Sequence, residues 1–444
     1  MTRAESAGWM APDDPTDGQV GLTEGQQGSN KGQVASTGRR VGSTDAQGGS
    51  TEGQEHGHGS ARKGPGHGGQ FGRVRYRFEY ERRVRVAFIG CGGHSWRNVY
   101  PAFQYAPVDL VAVADLNEAR AREYARQFGA SAYYTDYCQM LDRERPEGVF
   151  VVTNYDESGR PRYPQIAMDA MRAGACVWIE KPPAADLDDV RAMQAVERET
   201  GRFVQVGYKK MFFPAIAKVK EIISRTEEFG RPAQIFVRYP QSLPPLDERS
   251  DGLRMRSFLD HFFHPASIVH YLMGPVAAVS YAWEPQNGGS ISTLLFPTGA
   301  IGVMHLAAGQ SGTSPLERVE VVGRGANVVV ENGVRLIYYR RGTRGPGGYG
   351  RSSTFIGPDD AAPVIWEPEF SLGQLYNKNL FTLGYAPEVA YFAECVLAGR
   401  RPAYANLDDT LAMMRWYEAY RRPPGEVISI MDGAGPRSAR EASV

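Results

Sequence analysis

The run Val84-Arg85-Val86-Ala87-Phe88-Ile89, followed at once by Gly90-Cys91-Gly92-Gly93-His94-Ser95, constrains this chain most. It alternates and then turns apolar, as a buried strand does, and it stops in a glycine turn. Gly90 permits a tight strand-to-helix reversal. Gly92 leaves room for a phosphate to approach the backbone, and the N-terminus of the following helix, expected to run to about Tyr105, offers N–H donors and positive partial charge. Ser95 stands where Gly or Ala is usual, and it is small enough to keep the helix close to the strand. Gly93 and His94 complete the turn.

A glycine turn alone is weak evidence, so its surroundings decide. Asp109–Asp115 is a second apolar strand ending in a carboxylate, 23 residues after Gly92. Helical runs at 117–128, 164–173 and 185–199 alternate with strands at 148–153, 176–180 and 203–207. Such alternation predicts a Rossmann-type, doubly wound parallel sheet. Asp115 is placed to accept hydrogen bonds from the ribose of a dinucleotide and to repel a 2′-phosphate. This favours NAD, with NADP possible because Arg120 and Arg122 follow closely. A plainer reading of Asp115 is a cap for the next helix.

From about Lys210 the pattern changes. A helix at 213–224 and a strand at 234–239 precede a polar loop that runs to Arg256, and a helix is expected from Pro265 to Met273. Strand-like runs then follow at 276–284, 290–296, 300–308, 317–322, 326–330 and 334–339. Their separators are turn-like, as in Pro297-Thr298-Gly299 and Asn332-Gly333. The fold class is therefore α/β, with an N-terminal Rossmann domain and a C-terminal α+β domain carrying a large, mostly antiparallel sheet. Expected boundaries are 1–80 tail, 81–209 dinucleotide-binding domain, 210–385 substrate and dimerisation domain, 386–425 helices packing back on the first domain, and 426–444 flexible tail. The 341–380 stretch resists assignment.

Composition sets further limits. The first 70 residues hold 17 of the 51 glycines and few large apolar side chains, so this stretch is read as disordered. It is either a tether or the product of a start codon placed too far upstream. Fifty basic against fifty acidic residues give zero net charge, which offers a nucleic-acid partner no basic field. No apolar run is long enough to span a membrane. Cys91, Cys138, Cys176 and Cys395 lack metal or disulfide spacing and suit a reducing, cytoplasmic setting. No metal site is expected.

Two features carry chemistry. Glu180-Lys181-Pro182 closes a parallel strand, and ligands of such sheets bind outside the carboxyl ends of the strands. Asp260 and His264 are four residues apart, so a helix places them on one face, suited to general acid–base work on a hydroxyl or carbonyl. Asp260 alone reads equally well as an N-cap ahead of Pro265. His261 sits beside it out of register, and His270 and His305 read as packing residues.

Together the glycine turn, Asp115, Glu180-Lys181-Pro182, Val206-Gly207-Tyr208, Asp260-x-x-x-His264, Tyr271-Leu272-Met273-Gly274 and 294–300 resemble the Gfo/Idh/MocA family, named for glucose–fructose oxidoreductase and inositol dehydrogenase. The likeness runs over about residues 83–425. It implies hydride transfer between a nicotinamide cofactor and a hydroxyl of a sugar, cyclitol or other polyol. His264 would be the acid/base, Lys181 would sit near the same oxygen, and Asp260 would fix the substrate or orient the base. Gly90, Gly92, Gly93, His94, Ser95, Asp115, Asn154, Glu180 and Lys181 would bind cofactor, and Tyr208 and Lys209 would join the substrate contacts. Pairing into a homodimer or homotetramer is implied too. The sequence departs from the family in holding Tyr163 where a histidine is frequent, and in a longer Tyr155–Arg162 loop. Arg249, Arg254 and Arg256 could clamp an anionic substrate or belong to a mobile loop. Hydrolysis through transient oxidation by bound NAD, and a non-catalytic dinucleotide sensor, are the alternatives.

Overall fold

The computed structural model describes residues 74–250, 252–341, 362–367 and 377–431. Most of the expected N-terminal tail and the end of the C-terminal one lie outside the described residues. Packed structure begins before the expected tail boundary at residue 80, however. Val74 packs against the core, and Tyr76 lies 5.5 Å from the Tyr105 ring beside a 3-10 turn at Arg77–Glu79. Val74, Tyr76 and Phe78 supply large apolar side chains of the kind that are few in residues 1–70, which gives this segment surface to bury.

The first sheet has six parallel strands in the order β3-β2-β1-β4-β5-β6. These are β1 Val84–Ile89, β2 Val108–Ala114, β3 Ala132–Tyr134, β4 Gly148–Val151, β5 Cys176–Ile179 and β6 Val204–Val206. β3 and the helix after it, α2 Tyr137–Glu144, escape sequence reading because the strand is three residues long and only half-buried. α1 Glu118–Phe128, α3 Tyr163–Arg172 and α4 Leu187–Thr200 complete the crossovers. Strand order reverses between β1 and β4, which opens a crevice at their carboxyl ends.

The segment after the glycine turn is not a regular α-helix. Ser95–Val99 makes one wide turn, with the Tyr100 N–H bonded to the Ser95 carbonyl, and Tyr100–Tyr105 then tightens into a 3-10 helix. Pro101 explains the break, because it donates no N–H and its ring crowds the carbonyl four residues back.

The second sheet has nine strands, in the order β14-β13-β12-β11-β7-β10-β9-β8-β15. They are β7 Gln234–Tyr239, β8 Ala278–Trp283, β9 Ser290–Leu295, β10 Ile301–Leu306, β11 Arg318–Val322, β12 Asn327–Glu331, β13 Arg335–Tyr339, β14 Val364–Trp366 and β15 Ile428–Ser429. All pairings are antiparallel except β7 with β10. β15 corrects the expected flexible tail: Ile428 is buried and pairs with Val279 at the sheet edge.

α5 Pro214–Ser224 and the short α6 Thr226–Phe229 lead into β7, and α7 Leu253–Met273 follows it. α7 overturns two expectations. It begins inside the expected loop, and Pro265 lies in its interior instead of at its start. Met255, Phe258, Leu259 and Phe262 are buried along its first half, and that packing holds the helix through the missing Pro265 N–H. The C-terminal helices, short α8 Lys378–Thr382, α9 Tyr385–Leu397 and α10 Leu407–Ala419, tie the parts together. Phe392 of α9 meets Phe150 of β4 at 5.0 Å, and Trp416 of α10 meets Phe262 of α7 at 5.1 Å.

Candidate active site

The glycine turn is built as its sequence requires. Gly90 has φ +107°, and a Cβ there would come within 1.8 Å of the Val152 carbonyl oxygen, so only glycine fits. A Cβ on Gly92 would meet nothing within 4 Å and would enter open space. Ser95 is fully buried, and its hydroxyl donates to the Gly90 carbonyl at 3.0 Å. It therefore closes the turn and is not presented to a ligand, because a buried hydroxyl takes the nearest backbone acceptor.

Asp115 spans the mouth of the crevice. Its Oδ2 accepts from the Cys91 N–H and its Oδ1 from the Asn117 N–H, both at 2.8 Å, and Arg120 Nε lies 3.6 Å from Oδ1. It does not cap α1; Asn117 does, accepting from the Arg120 N–H. A cavity of about 700 Å³ runs from Gly92, Asp115 and Arg120 to Thr153, Asn154 and Tyr155. Thr153 Oγ1 is buried on this wall and, among the described residues, has no hydrogen-bond partner. A glycine with open space above it, a ribose-height carboxylate and an orphaned hydroxyl in one elongated cavity fit a dinucleotide.

His94 and Glu180 are committed to each other. His94 Nε2 lies 2.9 Å from Glu180 Oε1, while Glu180 Oε2 accepts the Lys181 N–H at 2.9 Å. Burial acts to raise the Glu180 carboxyl, but His94 and Lys181 outweigh it and the net shift is downward. Both carboxylate oxygens are thus occupied, and Glu180 braces the turn after β5 instead of projecting into the cavity.

Lys181, Asp260 and His264 do come together, from β5 and α7. Lys181 Nζ donates to Asp260 Oδ1 at 2.6 Å. Both side chains are about three-quarters to four-fifths shielded, so water screens the pair less than a surface pair. Asp260 lies within α7, which removes the N-cap reading. His264 stands one turn on. Burial, followed by the nearby charges of Lys181, Lys210, Lys209 and His261, holds its imidazole well below the usual histidine range. It is a neutral imidazole among cations.

Two of the expected substrate contacts differ. Tyr208 is buried, stacks on Phe263 at 5.2 Å and pairs its hydroxyl with Thr410 at 2.8 Å. It belongs to the core between β6 and α7. Lys209 does lie near Lys181 and His264; its Nζ donates to the Tyr385 hydroxyl at 3.0 Å, and burial lowers its pKa.

The arginines of the 241–257 segment have other work. Arg249 is buried and donates to the Tyr281 hydroxyl and to the Tyr420 carbonyl. Arg254 pairs with Glu248 at 2.6 Å, and Arg256 donates to the Ser158 carbonyl. None is held as an anion clamp. Tyr163 donates to the Thr153 carbonyl at 3.1 Å and buttresses β4. His270 is more than packing, for its Nε2 lies 2.8 Å from Asp409 Oδ1.

Sequence reading missed three neighbours. Tyr155 lies near Asp260, and burial first and the Asp260 charge second push its phenol up. Tyr385 holds Lys209. Glu388, in the first turn of α9, is completely buried beside Glu180 and Lys209. Tyr385 and Glu388 are about 200 residues from Glu180 in sequence, and nothing local announces them.

Comparison with known proteins agrees with this geometry. Residues 84–208 match the oxidoreductase family with an NAD-binding Rossmann fold. The chain is 26% identical over 350 residues to scyllo-inositol 2-dehydrogenase (NAD(+)) of Bacillus subtilis (strain 168), covering 74% of this chain and 91% of that one. It is 26% identical over 281 residues to D-apiose dehydrogenase of Paraburkholderia graminis, covering 59% and 72%. An oxidoreductase from Agrobacterium radiobacter, solved with NAD+, L-tartaric acid and magnesium, shares the fold with a TM-score of 0.60 at 16% identity, over 78% of this chain and 98% of that one. Residues 84–208 thus resemble the NAD-binding Rossmann domain of the Gfo/Idh/MocA oxidoreductases.

Proposed function

We propose that this protein is an NAD-dependent dehydrogenase acting on a ring hydroxyl of a cyclitol or sugar. The observation that carries the reading is the meeting of Lys181, Asp260 and a neutral His264, in a protein whose first sheet also carries a cavity that fits a dinucleotide at its carboxyl ends. The bound nicotinamide supplies the hydride acceptor. His264 takes the hydroxyl proton, which a neutral imidazole can do and an imidazolium cannot. The Lys181 ammonium stabilises negative charge as it develops on that oxygen. Asp260 holds Lys181 in place. Asp115 favours NAD over NADP, and Asn154 and Lys209 complete the cofactor and substrate walls.

The same reading includes a cytoplasmic setting and a homo-oligomer. Ile291 and Ile301 project from one face of the second sheet and are about half exposed, which suits a partner copy laid against that face. Among the described residues no helix is long and apolar enough to cross a membrane.

The test is absorbance at 340 nm with NAD+ or NADP+ and a panel of inositols, aldoses and uronates. Reduction of NAD+ by at least one cyclitol or sugar is expected. No reduction across the panel, with no NADH binding by fluorescence, would refute the reading.

A further inference from the structure

Arg249 follows a 3-10 turn at Leu246–Glu248, just ahead of α7, and is only 2% exposed. Its Nε donates to the Pro244 carbonyl at 2.6 Å. Its Nη1 donates to the Tyr281 hydroxyl and, at 3.0 Å, to the Tyr420 carbonyl. The guanidinium carbon lies 5.6 and 5.5 Å from the centres of the Tyr281 and Trp283 rings. Tyr281 in turn donates to the Arg422 carbonyl, so its phenol is neutral. Every partner of this buried cation is therefore uncharged. Among the described residues no Asp or Glu forms an ion pair with it.

Two polar atoms at this place are left over. Arg249 Nη2 is buried and, among the described residues, has no hydrogen-bond partner; the same holds for Ser290 Oγ, on a residue 4% exposed. They share one side of the second sheet. β8 and β9 pair with Trp283 opposite Ser290 and Tyr281 opposite Ser292, so these four side chains stand on the face where Arg249 lies. Ser292 shares a hydrogen bond with the Tyr420 hydroxyl at 2.7 Å, which leaves Ser290 as the unpaired hydroxyl.

Both leftover groups can donate. A buried charge without a counter-charge is costly. A water at this place would satisfy the hydrogen bonds and leave the charge, whereas an anion answers both. Arg249 and Ser290 are closed to solvent, so the ion is small and is not a substrate.

We propose that Arg249 Nη2 and Ser290 Oγ hold a buried monatomic anion of the halide class, with chloride as its natural member. The ion joins three pieces of chain: the turn leading into α7, the β8–β9 hairpin, and the segment after α10, whose Arg421 donates to the Arg249 carbonyl at 3.0 Å. It steadies the entry to the helix that bears Asp260 and His264. It takes no part in hydride transfer and stands independently of the dehydrogenase reading.

The test is the melting temperature of the full chain as chloride replaces gluconate at constant ionic strength. Wild type should gain about 2 °C or more and then level off, as one site does, and bromide should reach the same plateau. Ser290→Ala should need about fivefold more chloride for half the gain, the scale of one lost hydrogen bond. Arg249→Met should show no saturating gain; if it fails to fold, Ser290→Ala still decides. Crystals grown in bromide should carry an anomalous peak within hydrogen-bond distance of Arg249 Nη2 and Ser290 Oγ. A wild-type melt indifferent to chloride, or a water alone at that position, would each overturn the proposal. So would a bromide peak with equal chloride responses in wild type and Ser290→Ala, which marks an adventitious ion only.

Discussion

Lys181 Nζ and Asp260 Oδ1 are 2.6 Å apart, although 79 residues and a change of sheet separate them in the chain. One residue ends a strand of the dinucleotide domain and the other lies inside α7. The bond therefore ties the end of the first sheet to α7. Lys181→Met keeps the length of the side chain and removes its charge. It should lower kcat by about 100-fold or more, the scale of a lost electrostatic donor, while NADH affinity stays within a few-fold. Single-turnover kinetics and NADH fluorescence titration check the two halves. Unimpaired kcat would remove Lys181 from the catalytic set.

Two glycines two residues apart should behave in opposite ways. Gly90→Ala forces a Cβ onto the Val152 carbonyl in a left-handed backbone, so it should fail to fold or melt far below wild type. Gly92→Ala meets open space within the protein and should melt close to wild type. The added methyl lies where the pyrophosphate approaches, so NADH affinity should fall about tenfold or more. Thermal melts with and without NADH separate these effects. Equal melts for both variants would contradict the assigned geometry.

Much of this layout is legible in sequence, and its gaps have physical reasons. β1, β2 and β4 to β6 are buried and apolar, so they announce themselves, whereas β3 and β15 are too short to show a period. Lys181, Asp260 and His264 are visible because strand ends and helical spacing are local properties. Tyr155, Tyr385 and Glu388 join the site only through tertiary contact. Tyr208 misled because its neighbours face the cleft while its own ring turns into the core. Pro265 misled because a proline within a helix is read as a boundary unless the packing that overrides it is known.

The acid limb of activity should report His264. Burial first, and the surrounding cations second, depress its pKa below 6.5, so the neutral base survives to lower pH than an ordinary histidine allows. kcat/KM should therefore stay level as pH falls through 6.5 and drop only below it. Lys209→Met removes one of those cations and should move the limb to higher pH. The linkage has a definite sign. Below 6.5 the unfolded chain binds the proton that the folded one refuses, so this histidine lowers stability as pH falls. A limb that lies at 6.5 in wild type and does not move in Lys209→Met would exclude His264 as the base.

On the proposed function Asp115 would set cofactor choice through its charge, while its bonds to the Cys91 and Asn117 N–H groups hold the turn. Asp115→Asn keeps the acceptor to one of them and removes the repulsion of a 2′-phosphate. The ratio of kcat/KM for NAD+ to that for NADP+ should fall about tenfold or more, with Arg120, 3.6 Å away, freed to meet the phosphate. Steady-state kinetics with both cofactors measures the ratio. A ratio that stays at the wild-type value would show that another group reads the ribose.

Glu388 offers a test in stability. It is fully buried, and among the described residues neither carboxylate oxygen has a hydrogen-bond partner. Burial first, and the charge of Glu180 second, raise its pKa well above 4.5, against a smaller opposing effect of Lys209. The folded chain thus keeps a proton that the unfolded chain releases above about 4.5. Stability from this group is complete below that pH and declines as pH rises toward the folded value. Glu388→Gln has nearly the same shape and cannot ionise, so its stability should fall less steeply between pH 5 and 8, and at pH 8 it should equal or exceed wild type. Urea unfolding at several pH values measures both slopes. Parallel pH profiles for the two proteins would mean that Glu388 is already ionised in the fold, with Lys209 as its counterion.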